Sequence, residues 1–509
     1  MEALEGAETL SQSGNPEITG VEYDSRRVRP GQVFVAMRGE STDGNRYLDA
    51  AIAAGAAAVV TDSADSKPRP GVGWARVEQG NGRRALARLS LNFLGHPERK
   101  MSLTGITGTN GKTTASFVME SMLAAAGRSS ALVGTVEYHV AGKTLPAPHT
   151  TPEPLELSRL LAEAAQSGAR EAVMEVSSHA LAQERVFGLP FDVAVFTNLT
   201  RDHLDYHHDM EIYFQAKQRL FEGSGAPPPR VAVINLQDEY GARLLPLSQA
   251  RGSQVLTYGL GRGDFSAERV ESSARGLRFE MRTPAGPVSV ESPLVGKVNV
   301  YNILAAAAAT QARGCSLNAI AVGARDLPRV PGRFESVECG QPFLVIVDYA
   351  HTDDALRNLT ALARESLGGK RGRVITVFGC GGDRDRSKRP LMAEAAGRGS
   401  DFAILTSDNP RSEDPTAIIR DALPGLEATG TRHAVEPDRR QAIALAVREA
   451  KPGDIVLIAG KGHEKVQITR QGSAPFDDVE VARQALRQAG YTAEITAAAA
   501  APASKGAKP

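Results

Sequence analysis

The chain of 509 residues has few of the features that mark several specialised classes of protein. Its three cysteines, Cys315, Cys339 and Cys380, fit neither a zinc site nor a C-x-x-C motif, and so sparse and odd a number favours a reducing compartment. Basic and acidic residues balance at 59 each, so the chain has no general field to attract nucleic acid or an anionic membrane. No apolar run approaches the ~18 residues of a membrane-spanning helix, and the acidic N-terminus lacks the pattern of a secretory signal. We therefore expect a cytoplasmic protein, with neither nucleic-acid binding nor membrane insertion.

The patterning that is present predicts an α/β fold. Apolar runs of strand length alternate with helical patterns along three successive segments, which is typical of mostly parallel sheets covered by helices. We expect a small N-terminal α/β domain at residues 1–98, a central P-loop-like domain with a mostly parallel sheet at 99–334 and a Rossmann-like C-terminal domain at 335–494. The alanine-rich residues 495–509 are expected to be disordered.

The segment TGTNGKTT, at residues 107–114, lies between an apolar strand and a helix. Small residues there let backbone N–H groups surround phosphate oxygens, and the helix N-terminus adds partial positive charge. We expect Lys112 to reach the β- and γ-phosphates and the Thr113 hydroxyl to bind Mg²⁺. The usual pattern has glycine where this chain has Ile106, with Gly105 one place earlier, but the strand–turn–helix context favours a nucleotide site over an empty turn. The predicted ATP contacts of this loop are Gly108, Thr109, Asn110, Gly111, Lys112, Thr113 and Thr114.

Two further polar residues follow neighbouring predicted strands. Glu175 ends the strand EAVMEV, and His203 follows the strand FDVAVFTN, so both are expected at the sheet edge beside the phosphate loop. Together with Thr113 they are candidate ligands for Mg²⁺ bridging phosphates, although each alone is more often a surface or capping residue. Composition alone makes Lys217 a solvated helix residue. His139, His207 and His208 are interpreted as structural.

Five motifs occur in a fixed order along the chain: TGTNGKTT, EVSSHAL, TNLTRDHLDYH, DYAHTDDAL and GKGHE. Together they resemble the Mur ligase family, specifically its tripeptide-forming branch, over residues 18 to about 490. The resemblance implies a domain for the UDP end of the substrate, an ATPase domain and a domain for the incoming amino acid. It implies ATP-dependent ligation of meso-diaminopimelate to UDP-N-acetylmuramoyl-L-alanyl-D-glutamate through an acyl phosphate, a cytoplasmic step of peptidoglycan synthesis. We expect a monomer.

The same resemblance assigns roles to individual residues. The implied catalytic residues are Lys112, Glu175, His203 and Lys217. The implied Mg²⁺ ligands are Thr113, Glu175, His203 and Lys217, the last as a carbamate (N6-carboxylysine) formed with CO2. Further ATP contacts are Asn299, Asn302, Arg333 and Asp348. The implied UDP-substrate contacts are Tyr23, Ser25, Glu40, Ser41, Thr42, Thr150, Thr151, Ser177, Gln183 and Arg185. The implied amino-acid contacts are Arg384, Asp408, Asn409, Pro410, Arg411, Gly460 and Glu464. The chain departs from the family pattern at His149, where asparagine is expected, and across residues 40–42.

The run DNPR, at residues 408–411, bears on the choice of amino acid. The far carboxylate of diaminopimelate needs a cation, which the fork of Arg411 supplies, whereas lysine has no such carboxylate. The alternatives are a lysine-adding relative, a folylpolyglutamate synthase, a D-Ala-D-Ala-adding Mur ligase and, from another class, a non-catalytic nucleotide-binding regulatory module. DNPR with GKGHE disfavours the other ligases, and the catalytic set disfavours a pure binder, which needs only the phosphate loop.

Overall fold

The apolar runs of the sequence form the strands of three main sheets in the computed structural model, which describes residues 9–39, 42–273, 276–368 and 371–492. The chain divides into two compact units, residues 1–328 and 329–509. The expectation of disorder at residues 495–509 lies outside the described residues. The predicted domain bounds stay predictions, whereas the α/β class is confirmed.

The first sheet of unit 1 has five strands in the order β1-β5-β4-β3-β2, and all neighbours except β1 and β5 run parallel. Its strands are β1 (Thr9–Ser13), β2 (Gly20–Glu22), β3 (Gln32–Ala36), β4 (Ala58–Thr61) and β5 (Gly73–Val77). Its helices are α1 (Leu48–Ala53) and α2 (Gly82–Phe93), with 3-10 turns at Gly44–Tyr47 and Pro97–Arg99.

The second sheet of unit 1 has eleven strands in the order β16-β15-β14-β13-β12-β11-β6-β10-β7-β8-β9. The strands are β6 (Ser102–Thr107), β7 (Ser130–Val133), β8 (Glu137–Val140), β9 (Lys143–Pro146), β10 (Glu171–Glu175), β11 (Phe191–Phe196), β12 (Val231–Asn235), β13 (Gln254–Leu260), β14 (Phe265–Ser273), β15 (Gly276–Thr283) and β16 (Gly286–Ser292). The helices are α3 (Lys112–Ala125), α4 (Pro154–Gln166), α5 (Ser178–Ala182), α6 (Leu204–His207), α7 (Met210–Glu222), α8 (Glu239–Ala250), α9 (Lys297–Ala312) and α10 (Leu317–Arg325).

The central strands of this sheet are continuous apolar runs because they are buried on both faces. Strands β6, β10, β11 and β12 run parallel and are buried almost throughout, because helices cover both faces of a parallel sheet. Helix α9 packs against α3 and against strands β11–β14, and its alanines let these elements approach closely. The parallel strands therefore end at one edge of the sheet, where β6, β10 and β11 bring their last residues together.

Unit 2 contains a six-stranded sheet in the order β17-β18-β22-β19-β20-β21, parallel except between β17 and β18. Its strands are β17 (Glu335–Ser336), β18 (Leu344–Asp348), β19 (Val374–Cys380), β20 (Phe402–Ser407), β21 (His433–Val435) and β22 (Ile455–Ala459). A separate hairpin pairs β23 (Val466–Thr469) with β24 (Gly472–Pro475). The helices are α11 (Asp353–Leu367), α12 (Lys388–Gly399), α13 (Pro415–Glu427), α14 (Arg439–Glu449) and α15 (Asp478–Gln488).

The described helices differ in length or composition from those that span membranes. Within the described ranges, none is both long enough and apolar enough to cross a bilayer.

Candidate functional site

The phosphate loop connects β6 to α3 and depends on two glycines with positive φ. Gly108 has φ 148° and Gly111 has φ 87°. A Cβ on Gly108 would lie 1.8 Å from Thr197 Oγ1, so a larger residue does not fit this loop conformation. The Asn110 N–H donates to Asn198 Oδ1 at 2.9 Å, which ties the loop to the segment that follows β11.

Two lysines converge on one oxygen of this loop. Lys112, at the start of α3, donates from Nζ to the carbonyl oxygens of Gly108 and Thr109, at 2.9 Å each. Lys217, from α7, donates from Nζ to the same Gly108 oxygen at 2.8 Å. Two lysine side chains therefore share one carbonyl acceptor.

The surroundings of Lys217 disfavour its charged form. Its side chain is buried and its Nζ lies 4.6 Å from the centre of the Tyr213 ring. Burial first, and the charge of Lys112 second, hold the pKa of Lys217 well below its ordinary value, while Asp202 acts in the opposite direction. Composition alone would make Lys217 a solvated residue, but the face of α7 that carries it packs inward.

Glu175 ends β10 and is fully buried beside the phosphate loop. Its carboxylate accepts from Thr113 Oγ1 at 3.0 Å and from the Thr135 N–H and hydroxyl at 2.8 and 2.9 Å. A hydroxyl and a carboxylate oxygen are ligands that Mg²⁺ prefers, and Mg²⁺ usually completes its octahedron with phosphate oxygens and water. Thr113 and Glu175 thus fit a phosphate-bound Mg²⁺. No group of three or more His, Cys, Asp and Glu side chains suited to a metal occurs among the described residues.

His203 lies at the start of α6 with φ 55°, and its Nε2 is 3.4 Å from Asp202 Oδ2. The ring of His179 packs edge-to-face against it, with centroids 4.7 Å apart. The structure thus places His203 in an aromatic cluster beside Asp202, and its role as a metal ligand stays a prediction.

Two of the histidines interpreted as structural have partners that the sequence did not reveal. His207 is buried, stacks on Tyr213 and shares a hydrogen bond of 2.9 Å with Ser178 Oγ, and burial lowers its pKa to about 4. His139 lies between Glu120 and Glu137, and the hydrogen bond with Glu120 is the main cause that raises its pKa to about 9.

Three of the predicted substrate contacts adjoin Glu175. Thr150 Oγ1 is 3.0 Å from Thr135 Oγ1, which itself donates to Glu175. Thr151 Oγ1 donates to the Glu175 carbonyl at 2.8 Å and accepts from the Ser177 N–H at 3.1 Å. This group is continuous with the phosphate-loop site.

Gln183 and Arg185 follow α5 and extend the same group. Arg185 donates to Gln183 Oε1 from Nε at 3.0 Å and from NH2 at 2.7 Å, and to the Thr151 carbonyl from NH1 at 3.0 Å. The structure therefore brings together five residues that the family resemblance assigns to the substrate.

The predicted contacts for the UDP end are more scattered. The Tyr23 hydroxyl donates to Glu156 Oε2 at 3.1 Å, and burial first, then the charge of Glu156, raises the pKa of Tyr23. Ser25 lies in the turn after β2, and Thr42 Oγ1 is 3.3 Å from the Tyr47 hydroxyl. The predictions for Glu40 and Ser41 lie outside the described residues.

The remaining predicted ATP contacts divide between the two units. In unit 1, Asn302 donates from Nδ2 to Asn299 Oδ1 at 2.9 Å, and its Oδ1 lies 2.3 Å from where a Cβ on Gly111 would stand. In unit 2, the Arg333 guanidinium lies 4.7 Å from the centre of the Tyr349 ring. Asp348 accepts from the Phe334 N–H at 2.7 Å; burial raises its pKa and Arg333 opposes the rise.

The motif residues of unit 2 meet where β20 and β22 end. Asn409 donates to Glu464 Oε2 at 2.6 Å, and the buried Lys461 donates to Asn409 Oδ1 at 3.1 Å and to Glu464 Oε2 at 3.0 Å. Gly460 has φ 117°, and a Cβ there would lie 2.5 Å from Asp408 Oδ2, so the close approach of β22 to Asp408 requires glycine.

Two arginines lie beside this group. Arg411 donates from NH1 to the Gly382 carbonyl at 2.8 Å, and Arg384 donates to the Asp383 carbonyl at 3.1 Å. Burial, and second the charge of Arg384, lowers the pKa of Arg411, while Asp408 and Glu464 oppose that change. Pro410 contributes backbone to the same turn, because its carbonyl oxygen lies 2.0 Å from where a Cβ on Gly382 would stand.

Two residues of these groups were missed from the sequence. Thr135 holds Glu175 with two hydrogen bonds but stands in a stretch with no recognisable motif. Lys461 stands inside GKGHE, and a lysine between two glycines directly after an apolar strand is a signal that could have marked it.

Comparison with known proteins places all three segments in one family. Residues 17–94 match the catalytic domain of the Mur ligase family, residues 106–310 match the Mur ligase middle domain, and residues 332–462 match the Mur ligase glutamate ligase domain. The matches follow one another along the chain in that order.

Individual relatives agree with these matches. UDP-N-acetylmuramoyl-L-alanyl-D-glutamate--2,6-diaminopimelate ligase of Solibacter usitatus (strain Ellin6076) is 52% identical over 476 residues, which cover 93% of this chain and 94% of the relative. The protein of that name from Geobacter metallireducens (strain ATCC 53774 / DSM 7210 / GS-15) is 47% identical over 492 residues, covering 93% and 94%.

Solved structures show the same relationship. A structure of UDP-N-acetylmuramoyl-L-alanyl-D-glutamate--2,6-diaminopimelate ligase is 35% identical with a TM-score of 0.65, covering 93% of this chain and 96% of the other. The MurF ligase of Thermotoga maritima in complex with ADP is 19% identical with a TM-score of 0.63, covering 94% and 99%, and so shares the fold. By its three matched domains and by relatives that match it over nearly its whole length, the chain belongs to the Mur ligase family.

Proposed function

We propose that this chain uses ATP to join meso-diaminopimelate to the D-glutamyl γ-carboxylate of UDP-N-acetylmuramoyl-L-alanyl-D-glutamate. The observation that carries the proposal is the 52% identity, over 93% of the chain, to a relative named for that reaction with 2,6-diaminopimelate. The three substrates would bind within residues 1–98, 99–334 and 335–494, which we propose as the functional domains.

The chemistry of the reaction explains why the site needs cations. A carboxylate does not condense with an amine in water, because it is a poor electrophile with a poor leaving group. Attack of the γ-carboxylate on the γ-phosphorus of ATP gives an acyl phosphate and ADP. The amine of diaminopimelate then attacks the acyl carbon, and inorganic phosphate leaves. The first step brings two anions together, so Lys112 would neutralise charge that develops on the phosphates.

Magnesium would be held by Thr113 and Glu175, whose oxygens already lie 3.0 Å apart. His203 and a carbamate on Lys217 are the further proposed ligands. When bound, Mg²⁺ would supply positive charge to the phosphate oxygens. The chain's own contribution is to hold these oxygen donors at the mouth of the phosphate loop and to keep Glu175 away from water.

The environment of Lys217 supports the carbamate proposal. Carbamate formation joins the nitrogen lone pair of a neutral amine to the carbon of CO2 and releases one proton. A buried amine beside another ammonium group is kept partly neutral, so the lowered pKa of Lys217 supplies the reactive form. The product carries a negative charge, which would also remove the repulsion between Lys217 and Lys112.

The amino-acid site has charges that suit a molecule with two amines and two carboxylates. Arg411 and Arg384 would pair with carboxylate, and Asp408 and Glu464 with ammonium. These four charges already influence one another, since Arg384, Asp408 and Glu464 all act on the pKa of Arg411. L-Lysine lacks the far carboxylate and would leave one arginine unpaired.

We also propose that the reaction takes place in the cytoplasm and is carried out by a monomer. Cys315, Cys339 and Cys380 are free and buried, which is typical of a reducing compartment. One polypeptide carries residues for all three substrates.

The test measures ADP and phosphate release from ATP and Mg²⁺ with the UDP-dipeptide and, in separate reactions, meso-diaminopimelate, L-lysine, D-alanyl-D-alanine or no amine. We expect release, and a lengthened peptide, with meso-diaminopimelate. Preference for L-lysine or D-alanyl-D-alanine would replace the proposed substrate. Nucleotide binding without release under any condition would indicate a regulatory module.

The Arg411→Lys variant tests the recognition of the far carboxylate. We expect the KM for meso-diaminopimelate to rise about tenfold, because lysine cannot form the two parallel hydrogen bonds of an arginine fork. The matched control is Arg398→Lys in α12, where an exposed arginine pairs with Glu394. An unchanged KM in Arg411→Lys would exclude Arg411 from the amino-acid site.

A further inference from the structure

Helix α2, in the first segment, contacts the loop of the central segment that carries Gln183 and Arg185. Arg84 donates from Nε and NH2 to the two carboxylate oxygens of Glu184, at 2.6 Å each. This is the bidentate geometry in which an arginine fixes a carboxylate most strongly. Glu184 lies between Gln183 and Arg185, the two predicted substrate contacts. The backbone position of Glu184 therefore determines where both neighbouring side chains lie.

The backbone conformation of Glu184 indicates that this residue needs a contact that holds it in place. Glu184 has φ 60°, in the left-handed region, directly after the C-cap of α5. Glycine is usual at such a position, because a side chain is unfavourable there. A glutamate persists in this conformation only where its surroundings hold it. The fork of Arg84 is the strongest contact described for its side chain.

Glu153 links α2 to Arg185, because it pairs with both Arg83 and Arg185. Arg83 donates from Nε to Glu153 Oε2 at 2.8 Å, and the other oxygen of Glu153 lies 3.1 Å from Arg185 Nε. The side chains of Arg83, Glu153 and Arg185 are only 14–16% exposed, so solvent screens these pairs weakly. Glu153 follows the Thr150–Thr151 pair, so this bridge also fixes the start of α4.

Contacts between α2 and the Phe187 ring also hold this loop. The guanidinium groups of Arg84 and Arg88 each lie 5.2 Å from the centre of the Phe187 ring, two residues after Arg185. The loop is thus held at Glu184, Arg185 and Phe187 by one helix. Three arginines and two glutamates in the ion-pair network leave one positive charge, which suits an anionic ligand.

We propose that Arg83 and Arg84 are positioning residues that set the geometry of Gln183 and Arg185, and that they thereby determine the affinity for the UDP-linked dipeptide. Neither arginine needs to touch the ligand, because each acts through a glutamate. The inference rests on the proposed function, in which Gln183 and Arg185 bind the UDP-dipeptide.

The experiment compares Arg84→Gln, Glu184→Gly and the double variant in the full-length protein. We expect Arg84→Gln to raise the KM for the UDP-dipeptide about tenfold, the size expected for loss of a charged hydrogen-bonded pair. The KM values for ATP and meso-diaminopimelate, and kcat at saturation, are expected to change less than about twofold. Arg69→Gln, an exposed arginine paired with Asp49 in the same segment, is the charge control and is expected to behave as the unaltered protein.

Glu184→Gly separates positioning from direct contact. Glycine adopts φ 60° without strain, so the loop keeps its course and no longer needs Arg84. In this background we expect Arg84→Gln to change the KM for the UDP-dipeptide less than about twofold. If Arg84 contacted the ligand directly, the tenfold effect would persist, and the inference would be overturned.

The outcomes distinguish this inference from the proposed function. No ligation by the unaltered protein would overturn both. Ligation by the unaltered protein, with an unchanged KM for the UDP-dipeptide in Arg84→Gln, or with equal increases for all three substrates, would overturn only the positioning role. If Arg84→Gln does not fold, Arg84→Lys carries the test, because it keeps the charge and loses the fork, and an unchanged KM there is equally decisive.

Discussion

At the scale of single residues, Lys217 shows how strongly burial changes side-chain chemistry. The segment MEIYFQAKQRLF has the composition of a half-exposed amphipathic helix, and nothing in it distinguishes Lys217 from a surface lysine. Tertiary packing buries Lys217 beside Lys112, and burial first and the charge of Lys112 second lower the pKa of Lys217. Its proposed reactivity follows from that location.

We expect Lys217→Ala to reduce ligation at least about a hundredfold, because a charged group at the phosphate site is lost. Added bicarbonate is expected to leave this variant inactive, whereas it should restore unaltered protein that has been depleted of CO2. Initial rates of phosphate release measure both effects. Lys143→Ala, which removes an exposed lysine paired with Glu163, is the control. Substantial activity in Lys217→Ala would remove the carbamate from the mechanism.

The sequence was informative for some of these residues and not for others. The adjacency of Thr113 and Glu175 was predictable, because parallel strands bring their carboxyl ends to one edge. The burial of Lys461 and the ion pair between Arg84 and Glu184 were not predictable, since these contacts depend on how separate segments pack. The Glu40 and Ser41 predictions lie outside the described residues.

At the scale of elements, the phosphate loop requires glycine for two separate reasons. Gly108 combines φ 148° with a neighbouring hydroxyl, Thr197 Oγ1, only 1.8 Å from the place of a Cβ. Gly127, which follows the C-cap of α3, has φ 71° but nothing within 4 Å of a Cβ. The two positions thus separate the effect of crowding in the loop from the effect of backbone conformation.

We expect Gly108→Ala to weaken ATP binding at least about tenfold, because the loop must move to accommodate the methyl group. Gly127→Ala is expected to lower the free energy of unfolding by about 1 kcal/mol through its backbone conformation, with unchanged ATP affinity. Calorimetric titration with ATP and denaturant unfolding measure the two quantities. Equal ATP affinity in both variants would argue against a tight phosphate loop.

The contact between α3 and β8 gives a pH-dependent prediction. The pKa of His139 is raised to about 9, mainly by its hydrogen bond with Glu120, from about 6.5 in an unfolded chain. A raised pKa contributes stability that is complete below about pH 6.5 and is lost as the pH rises through about 9. We expect His139→Gln to lower the thermal midpoint most near pH 6, with a difference that shrinks towards pH 9. A difference in thermal midpoint that grows with pH would contradict the stabilisation of charged His139 by Glu120 and Glu137.

Secondary structure was predictable where apolar runs are long and was missed where strands are short. The buried runs of β6, β10, β11, β18, β19, β20 and β22 were all recognisable. Strands β8 and β9, and the hairpin β23–β24, were missed because they are short, and β9 and β24 are largely exposed. These segments form strands because they pair with neighbouring strands, and their own residues favour a strand only weakly.

At the scale of the whole molecule, the division into residues 1–328 and 329–509 predicts separable folding. Each unit contains its own sheets and its own buried core, so each has what independent folding requires.

We expect a fragment of residues 1–328 to unfold cooperatively and to bind the UDP-dipeptide without catalysing ligation, because the proposed amino-acid site lies in residues 329–509. Denaturant unfolding and calorimetric titration of the isolated fragment test this. A fragment that is unfolded, or that fails to bind while the full chain binds, would show that the first unit depends on the second.

The carbonyl oxygen of Gly108 accepts hydrogen bonds from both Lys112 and Lys217. When one of its two lysines changes charge or leaves, the hydrogen bonding available to the other changes too. Thermodynamic linkage is reciprocal, so under the proposed function CO2 binding at Lys217 and triphosphate binding at Lys112 would change each other's affinity by the same factor. In that case a single backbone atom, the carbonyl oxygen of Gly108, would make nucleotide affinity depend on the concentration of dissolved CO2.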